Sequence, residues 1–186
     1  MLENLVKDID RREMLFNAIK TIPSVKLMAD WAFKWIDSSE SIAHRIVAFA
    51  IIEGVFFCGA FAAIFWLKHY KSINSSTGRP FMNGLTHSNA FIARDESMHY
   101  TFACEVYSLL EHKLSQNDIY SIMDEAITIS CTFMSDALPV GLIGMNNEQM
   151  NEYIKYTGDK LLLMMGYKKM YNKPNPFKFM DQNGMT

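Results

Sequence analysis

The amino-acid sequence predicts an all-α fold, and three observations lead to that prediction. Apolar residues recur at intervals of three and four, which is the period of a helix and not the alternation of a strand. Glycine and proline are sparse in the first 110 residues, and capping residues such as Ser115 precede the later apolar stretches. The chain has 186 residues, 49% of them hydrophobic, which is enough for one domain with a core. This composition excludes a disordered or collagen-like chain.

The charge and the cysteines narrow the possible functions. The net charge is -2, and lysine and arginine form no long run, so we do not expect a nucleic-acid binder. Cys58, Cys104 and Cys131 are widely spaced in apolar segments, which excludes a disulfide framework and a Cys-x-x-Cys metal site. Free thiols suit a reducing compartment, and the charged N-terminal segment does not resemble a signal peptide. We therefore expect a cytoplasmic protein.

The first two predicted helices lie before residue 37. An apolar stripe covers residues 1–20, and Pro23 ends that helix because proline cannot continue it and restricts the residue before it. Ser24 is expected to cap a second helix that runs to about Ile36.

The segment 46–67 is almost entirely apolar, and Glu53 is its only charged residue before Lys68. Its length suits a membrane span. A carboxylate near the middle of the membrane costs about 2.5–3.5 kcal/mol, however, and no second span is evident. A helix that is apolar on all sides also suits the centre of a soluble bundle, which is the interpretation that we favour. A small membrane protein is the alternative.

The second half of the chain predicts three more helices after a polar loop at 70–83. They cover about 86–113, 116–136 and 147–165, and their N-caps are Thr86 or Ser88, Ser115, and Asn146 or Asn147. Two prolines and weak periodicity predict an extended tail at 174–186, which leaves residues 1–173 as the helical domain.

The motif Glu96-Ser-Met-His99 is the main candidate for chemistry. Positions i and i+3 share one face of a helix, so the carboxylate and the imidazole can bind the same ion. Ferritin-like bundles hold iron or manganese with this element and a lone glutamate from a facing helix. Glu53 is the candidate for that lone glutamate, because an unpaired carboxylate in an apolar helix is costly. Oxygen ligands with one imidazole suit iron or manganese.

Each of these residues also has an interpretation without a metal. Glu-x-x-His arises by chance, and Glu53 could be a protonated core residue or a partner of Arg94. Asp95 lies about 100° around the helix from Glu96, so it forms either a surface salt bridge or a hydrogen bond that orients a ligand histidine. The stripe of aromatic side chains is either core packing or a dry pocket beside a metal. It consists of Phe56, Phe57, Phe61, Phe65 and Trp66.

Four segments resemble, in order, the class I ribonucleotide reductase small subunit. They read IIEGVFFCGAFAAIFWLK, GLTHSNAFIARDESMHYTFAC, DALPVGLIGMN and YIKYTGDKLLLMMGYKKMYNKPNPFKFMD, and the resemblance covers about residues 5–181. It implies a ferritin-like bundle that forms homodimers. It also implies a dimetal centre that activates oxygen and generates a radical. That radical is relayed to a cysteine of the large subunit, which reduces ribonucleotides to deoxyribonucleotides for DNA replication.

The resemblance also implies roles for single residues. Glu53 resembles the lone carboxylate ligand of the second metal, and Glu96 and His99 resemble its Glu-x-x-His. Asp95 resembles the aspartate that links the ligand histidine of the other half to the radical path. Three apolar residues resemble those that surround the radical tyrosine in the family. They are Phe57, Phe61 and Ile92. In the family the central helix is distorted, which Gly54 and Gly59 would permit.

The family needs six ligands, and this chain offers three. The resemblance implies that the other Asp and Glu-x-x-His, the radical tyrosine and the tryptophan of the radical path lie upstream. We also expect this chain to lack the family's longer C-terminal tail. The sequence therefore predicts a partial ferritin-like bundle that lacks the N-terminal ligand helices. We expect half of a dinuclear iron or manganese/iron centre, with at most one weakly held ion in this chain alone.

The expected partners follow from the same resemblance. They are the large subunit, a second copy of the chain and a possible companion chain with the missing helices, with no nucleic acid and no membrane. Two alternatives stay open. The first is a different ferritin-like oxidase or storage protein, and the second is a non-catalytic helical partner that stabilises a complete small subunit.

Overall fold

A computed structural model describes residues 2–74, 82–138, 141, 142 and 144–181. Apart from an isolated bridge between Leu142 and Met145, the regular structure in these residues is helical, which confirms the all-α prediction. The helices are α1 (Leu2–Leu5), α2 (Ile9–Phe16), α3 (Ala18–Thr21), α4 (Pro23–Ile36), α5 (Ile42–Ile51), a π-helical turn (Ile52–Phe56), α6 (Cys58–Asn74), α7 (Asn83–Ser108), α8 (Gln116–Ala137), α9 (Asn147–Met164) and α10 (Lys178–Asp181).

The N-terminal region consists of short helices instead of one continuous helix over residues 1–20. Asp8 caps α2 by accepting a hydrogen bond from the backbone N–H of Arg11, at 2.7 Å, and α2 contains no buried residue. The expectation that Ser24 is an N-cap is wrong, because Pro23 occupies the first helical position and Ile22 precedes it. Proline suits that position because its fixed φ matches the helix. Ser24 is instead buried against the bundle.

The core forms around the continuous rod of α5, the π-helical turn and α6. Helix α7 packs along α5 and α6, while α8 and α9 pack against each other and against the π-helical turn. Val47, Ile51 and Val55 of the rod are fully buried. They meet fully buried side chains of α8 and α9 such as Ile119 and Ile154. These five residues show why the segment reads as apolar: several helices cover it.

The same burial bears on the membrane alternative. Ile42–His69 is long and apolar enough to cross a membrane, with a mean hydropathy of 2.2, but 61% of its most apolar window is buried inside the fold. A core helix of a bundle has these properties, and one such helix is weak evidence for a membrane span.

The helix ends of α8 and α9 agree with the sequence prediction. The Ser115 side chain accepts a hydrogen bond from the N–H of Asp118 and begins α8. Asn146 and Gln149 form a reciprocal capping box at the start of α9. Gly166 ends that helix with φ +86°, a conformation that favours glycine.

Other boundaries differ from the prediction. Helix α7 begins at Asn83 after Met82, so neither Thr86 nor Ser88 is its cap, and it ends at Ser108 before Leu109. Of the predicted polar loop 70–83, residues 75–81 lie outside the described residues, as does the predicted helix breaker Pro139.

The C-terminal segment packs on the bundle through its aromatic side chains. Phe177, Phe179 and Met180 are buried, and the Phe179 ring stacks on His69 of α6 with 5.2 Å between the ring centroids. Residues 172–177 have no regular structure, but Lys178–Asp181 form α10. The expectation of an extended tail is wrong for Lys178–Asp181, because these residues form a helical turn in which Phe179 packs on His69 of α6. Residues 182–186 lie outside the described residues, and the domain boundary at 173 stays a prediction.

Candidate metal site

The π-helical turn at Ile52–Phe56 carries Glu53. A π-helical turn hydrogen-bonds from i to i+5 and is found at many functional sites. The neighbouring Gly54 makes room for α7, since a Cβ atom at that position would lie 3.3 Å from Cγ of Tyr100. The helix distortion that the resemblance implied near Gly54 is therefore present in the structure. Because Gly54 has no side chain, the Tyr100 ring can lie against the backbone next to Glu53.

The structure brings the three predicted ligands together. The Nδ1 atom of His99 lies 2.9 Å from Oε2 of Glu96 and 3.4 Å from Oε2 of Glu53. One ligand atom from each of the three residues lies within 4.8 Å of the others. The side chains of Glu53 and Glu96 are 18% and 20% exposed, whereas that of His99 is 54% exposed. Two shielded carboxylates thus meet an accessible imidazole.

The electrostatics of the two carboxylates differ. Burial, together with the neighbouring Glu96, raises the pKa of Glu53 to about 7. The hydrogen bond from Glu53 lowers the pKa of Glu96, with a further contribution from His99. The hydrogen bond to Glu96 raises the pKa of His99. Below about pH 7 the two carboxylates therefore hold one proton between them, which reduces their mutual repulsion.

This donor set fits a divalent metal ion. Two carboxylate oxygens and one imidazole nitrogen are the donor types that iron and manganese accept. When both carboxylates are ionised they repel each other. A bound cation would relieve that repulsion in the same way as the shared proton does. Among the described residues, Glu53, Glu96 and His99 are the one group of three or more possible ligand side chains that lie close enough together to hold a metal ion.

Asp95 lies outside this cluster. Its Oδ1 accepts hydrogen bonds from Arg94, with 2.9 Å to Nη2 and 3.1 Å to Nε. The surface salt bridge that the sequence analysis considered is therefore present, and Arg94 pairs with Asp95 instead of Glu53.

The three residues of the predicted apolar shell differ in how exposed they are. Phe61 is buried, and its backbone carbonyl accepts a hydrogen bond from the Asn89 side chain at 3.3 Å. Phe57 lies one turn after Glu53 and is 38% exposed, and Ile92 lies one turn before Glu96 and is 49% exposed. Of these three residues only Phe61 is buried, and the shell itself stays a prediction.

An apolar groove begins one turn away from the site, between α5 and α7. Its volume is about 300 Å³, and its walls include Ile46, Phe49, Phe102 and Val106. Phe49 precedes Glu53 by four residues and Phe102 follows His99 by three, so the groove and the ligands share one face of the helix pair. Phe49 is 44% exposed and Phe102 is 68% exposed. A patch of this kind marks an interaction surface.

Sequence reasoning did not select Tyr100 as part of the site. A signal was present, because Tyr100 directly follows His99 and lies one turn after Glu96. Its contact with Gly54 could not be read from the sequence, since it depends on how α7 crosses the π-helical turn.

The profile of a family described as "Ribonucleotide reductase, small chain" matches residues 1–176. The chain belongs to this family. The small chain of ribonucleoside-diphosphate reductase from Acanthamoeba polyphaga mimivirus is 51% identical over 182 residues, which are 98% of this chain and 42% of that protein. The small chain from Spisula solidissima is 50% identical over 182 residues, which are 97% of this chain and 45% of that protein.

A solved structure also supports membership of the ribonucleotide reductase small-chain family. The ribonucleotide reductase Rnr4 homodimer from Saccharomyces cerevisiae matches with a TM-score of 0.76 and 35% identity, over 90% of this chain and 51% of that chain. The resemblance of the motifs to the ribonucleotide reductase small chain and the ferritin-like helical fold are thus confirmed. The chain spans about half the length of the relatives that it matches.

Proposed function

We propose that this chain contributes one half of the dinuclear metal centre in a ribonucleotide reductase small subunit. In this proposal Glu53, Glu96 and His99 hold one iron or manganese ion. The observation that carries it is the convergence of their ligand atoms to within 4.8 Å at a π-helical turn. The finding that small chains of this family are generally dimetal proteins supports it.

The chain's own residues prepare the site for the ion. Binding releases the proton that Glu53 and Glu96 share and requires the neutral form of His99, because ligands must be deprotonated. A bound redox-active metal supplies one-electron chemistry with dioxygen, the source of the radical that the large subunit uses to reduce ribonucleotides. Phe57, Phe61 and Ile92 would exclude water from the radical pocket. Asp95 would orient a ligand histidine from the other half and lie on the radical path.

The other half of the centre would pack on the exposed face of α5 and α7. Phe49 and Phe102 flank the ligands there and need cover in the active assembly. We propose that further helices of the small subunit, on the same polypeptide or on a companion chain, supply that cover and the remaining ligands. The assembly would then work as a homodimer with the large subunit in the cytoplasm, in deoxyribonucleotide synthesis.

Metal content tests the proposed site. We expect the full chain, brought to equilibrium with ferrous ion by dialysis, to bind about one ion per chain, and Glu53→Ala, Glu96→Ala and His99→Ala each to lose it. Iron measured by mass spectrometry gives the stoichiometry, and circular dichroism checks the helical content of each variant.

Two controls lie on the same helix as Glu96 and His99. Glu105→Ala and His87→Ala remove a carboxylate and an imidazole from exposed positions of α7, and both are expected to retain iron. If all three ligand variants keep the same iron content as the unmodified chain, the metal site is wrong. That result would favour a non-catalytic helical partner that stabilises a complete small subunit.

A further inference from the structure

Two residues that each follow a ligand in the chain lie against each other. Gly54 follows Glu53 in the π-helical turn, and Tyr100 follows His99 in α7. A Cβ atom at Gly54 would lie 3.3 Å from Cγ, 3.4 Å from Cδ1 and 3.5 Å from Cβ of Tyr100. The turn and α7 therefore approach each other here about as closely as a residue without a side chain allows.

The Tyr100 ring has little room to move away from Gly54. It is half-buried and packs against the apolar core. Gly54 and Tyr100 line a cavity together with residues of α9 such as Tyr153 and Leu161. The space inside is about 30 Å³, which is room for about one water molecule and too little for a phenol ring. The ring therefore lies at a packed junction of the turn, α7 and α9.

This junction affects the distance between the ligands. The turn supplies Glu53, whereas α7 supplies Glu96 and His99, and one ligand atom of each lies within 4.8 Å of the others. The distances between a metal ion and its ligands are fixed to about 0.2 Å. A Cβ atom at 3.3 Å from a ring carbon makes its neighbour shift by a few tenths of an ångström. A methyl group at Gly54 would therefore move the two elements apart by at least as much as a bound ion tolerates.

A second glycine of the same rod offers a comparison. Gly59 of α6 faces α8, where a Cβ atom would lie 2.7 Å from Cγ and 2.8 Å from Sδ of Met134. This approach is closer than the one at Gly54, but α8 carries none of the three ligands. Of the two close approaches, the one at Gly54 joins the two elements that carry the ligands.

We propose that Gly54 and Tyr100 are positioning residues of the metal site. Their contact sets the spacing between Glu53 and the two ligands of α7, and thereby the affinity for the ion. The inference rests on the proposed metal site and adds the part of the fold that determines its geometry. The Tyr100 ring acts through its volume, so phenylalanine should replace it and alanine should not.

Iron affinity tests the contact. The full chain and its variants are dialysed without oxygen against graded concentrations of ferrous ion, and bound iron is measured by mass spectrometry. We expect Gly54→Ala and Tyr100→Ala each to weaken binding by about 10- to 100-fold, which is the usual effect of changing residues that orient metal ligands. Tyr100→Phe keeps the ring and is expected to bind iron as the unmodified chain does.

A matched control and a spectrum separate positioning from folding stability. Gly59→Ala adds the same methyl group to the same rod, and we expect it to leave the iron affinity unchanged even where it changes the urea midpoint. Cobalt(II), bound at saturation, reports the ligand geometry through its visible absorption bands. We expect these bands to change in Gly54→Ala and to stay the same in Gly59→Ala.

The outcomes distinguish this inference from the proposed function. If the unmodified chain binds iron and either Gly54→Ala or Tyr100→Ala binds it equally well, the positioning contact is wrong and the metal site stands. Equal losses of affinity in Gly54→Ala and Gly59→Ala, or a loss in Tyr100→Phe, would also overturn it. If Gly54→Ala does not fold, as judged by circular dichroism, the comparison of Tyr100→Ala with Tyr100→Phe decides. If the unmodified chain binds no iron, the proposed function and the positioning contact fail together.

Discussion

The two faces of the helix pair α5 and α7 differ in what covers them, although both are apolar. On the back face, Val47 and Ile51 are fully buried beneath α8 and α9. On the front face, which carries the ligands, Phe49 and Phe102 are 44% and 68% exposed. Exposed large apolar side chains that lie together on one face mark an interaction surface. This difference supports the proposal that further helices pack on the front face.

The largest expected effect is on the free energy of unfolding, and it comes from replacing a buried phenylalanine in a pair of matched substitutions. Phe65 of α6 is 1% exposed and Phe102 of the front face is 68% exposed. We expect Phe65→Ala to lower the free energy of unfolding of the full chain by about 3–5 kcal/mol, because it leaves a cavity in the core. Phe102→Ala should change it by less than about 0.5 kcal/mol, since an exposed ring loses little packing. Urea unfolding followed by circular dichroism measures both values.

The same two substitutions can also contradict the comparison between the covered back face and the exposed front face. A large loss for Phe102→Ala would mean that its ring is covered in the isolated chain in solution. The front face would then not be a free surface, and the proposal that other helices pack there would lose its support.

The stability of the folded chain should also depend on pH, because Glu53 of the front face has a raised pKa. The pKa of Glu53 is raised to about 7, whereas the ordinary value is 4.5. A raised pKa in the folded state means that stability is fully present below the unfolded pKa and is lost as pH rises through the folded value. We expect Glu53→Gln, which cannot ionise, to melt at increasingly higher temperature than the unmodified chain as pH rises from about 5 to about 8. The effect should be smaller than that of Phe65→Ala, because Glu53 is partly solvated.

Thermal melting with a chelator present measures this difference without metal. Glu105→Gln on α7 is the control, because it removes an exposed carboxylate outside the ligand cluster. A constant difference in melting temperature between Glu53→Gln and the unmodified chain would show that Glu53 ionises in the folded state as it does in the unfolded state.

Helix caps give the smallest effect of the three. The side chain of Asn146 belongs to the capping box of α9 on the back face, whereas the side chain of Ser41 makes no capping bond at the start of α5. We expect Asn146→Ala to cost about 1 kcal/mol and Ser41→Ala clearly less. Urea unfolding measures both. Equal costs would mean that the two faces are held by their helix ends to the same degree.

The features that could be predicted from the sequence are those that depend on contacts within one helix or on the character of one segment. Ser115 and Asn146 cap their helices as expected, because a cap depends on contacts within a few residues. The Glu96 and His99 pair was predictable for the same reason, since i and i+3 share a face of one helix. Glu53 could be added because it stands alone in an apolar helix, and such a carboxylate needs a partner.

Features that depend on how distant elements pack were not predictable. The burial of Phe177 against Tyr153 of α9, and of Phe179 against His69 of α6, depends on the return path of the chain after α9. The contact of Tyr100 with Gly54 depends on the crossing of α7 over the π-helical turn. The exposure of Phe57 could not be read from its neighbours either, because the same aromatic stripe contains the buried Phe61.

The π-helical turn at Ile52–Phe56 has a consequence for changes in chain length. A π-helical turn holds one residue more than an α-helical turn over the same distance. Deletion of one residue there would restore regular α-helix and leave the faces of α5 and α6 aligned as they are. The same deletion within α8 would turn every later side chain of that helix by about 100°. A one-residue deletion can therefore remove the carboxylate of Glu53 from the site and spare the core, so the length of this turn is a separate route by which a related protein could lose the metal and keep the fold.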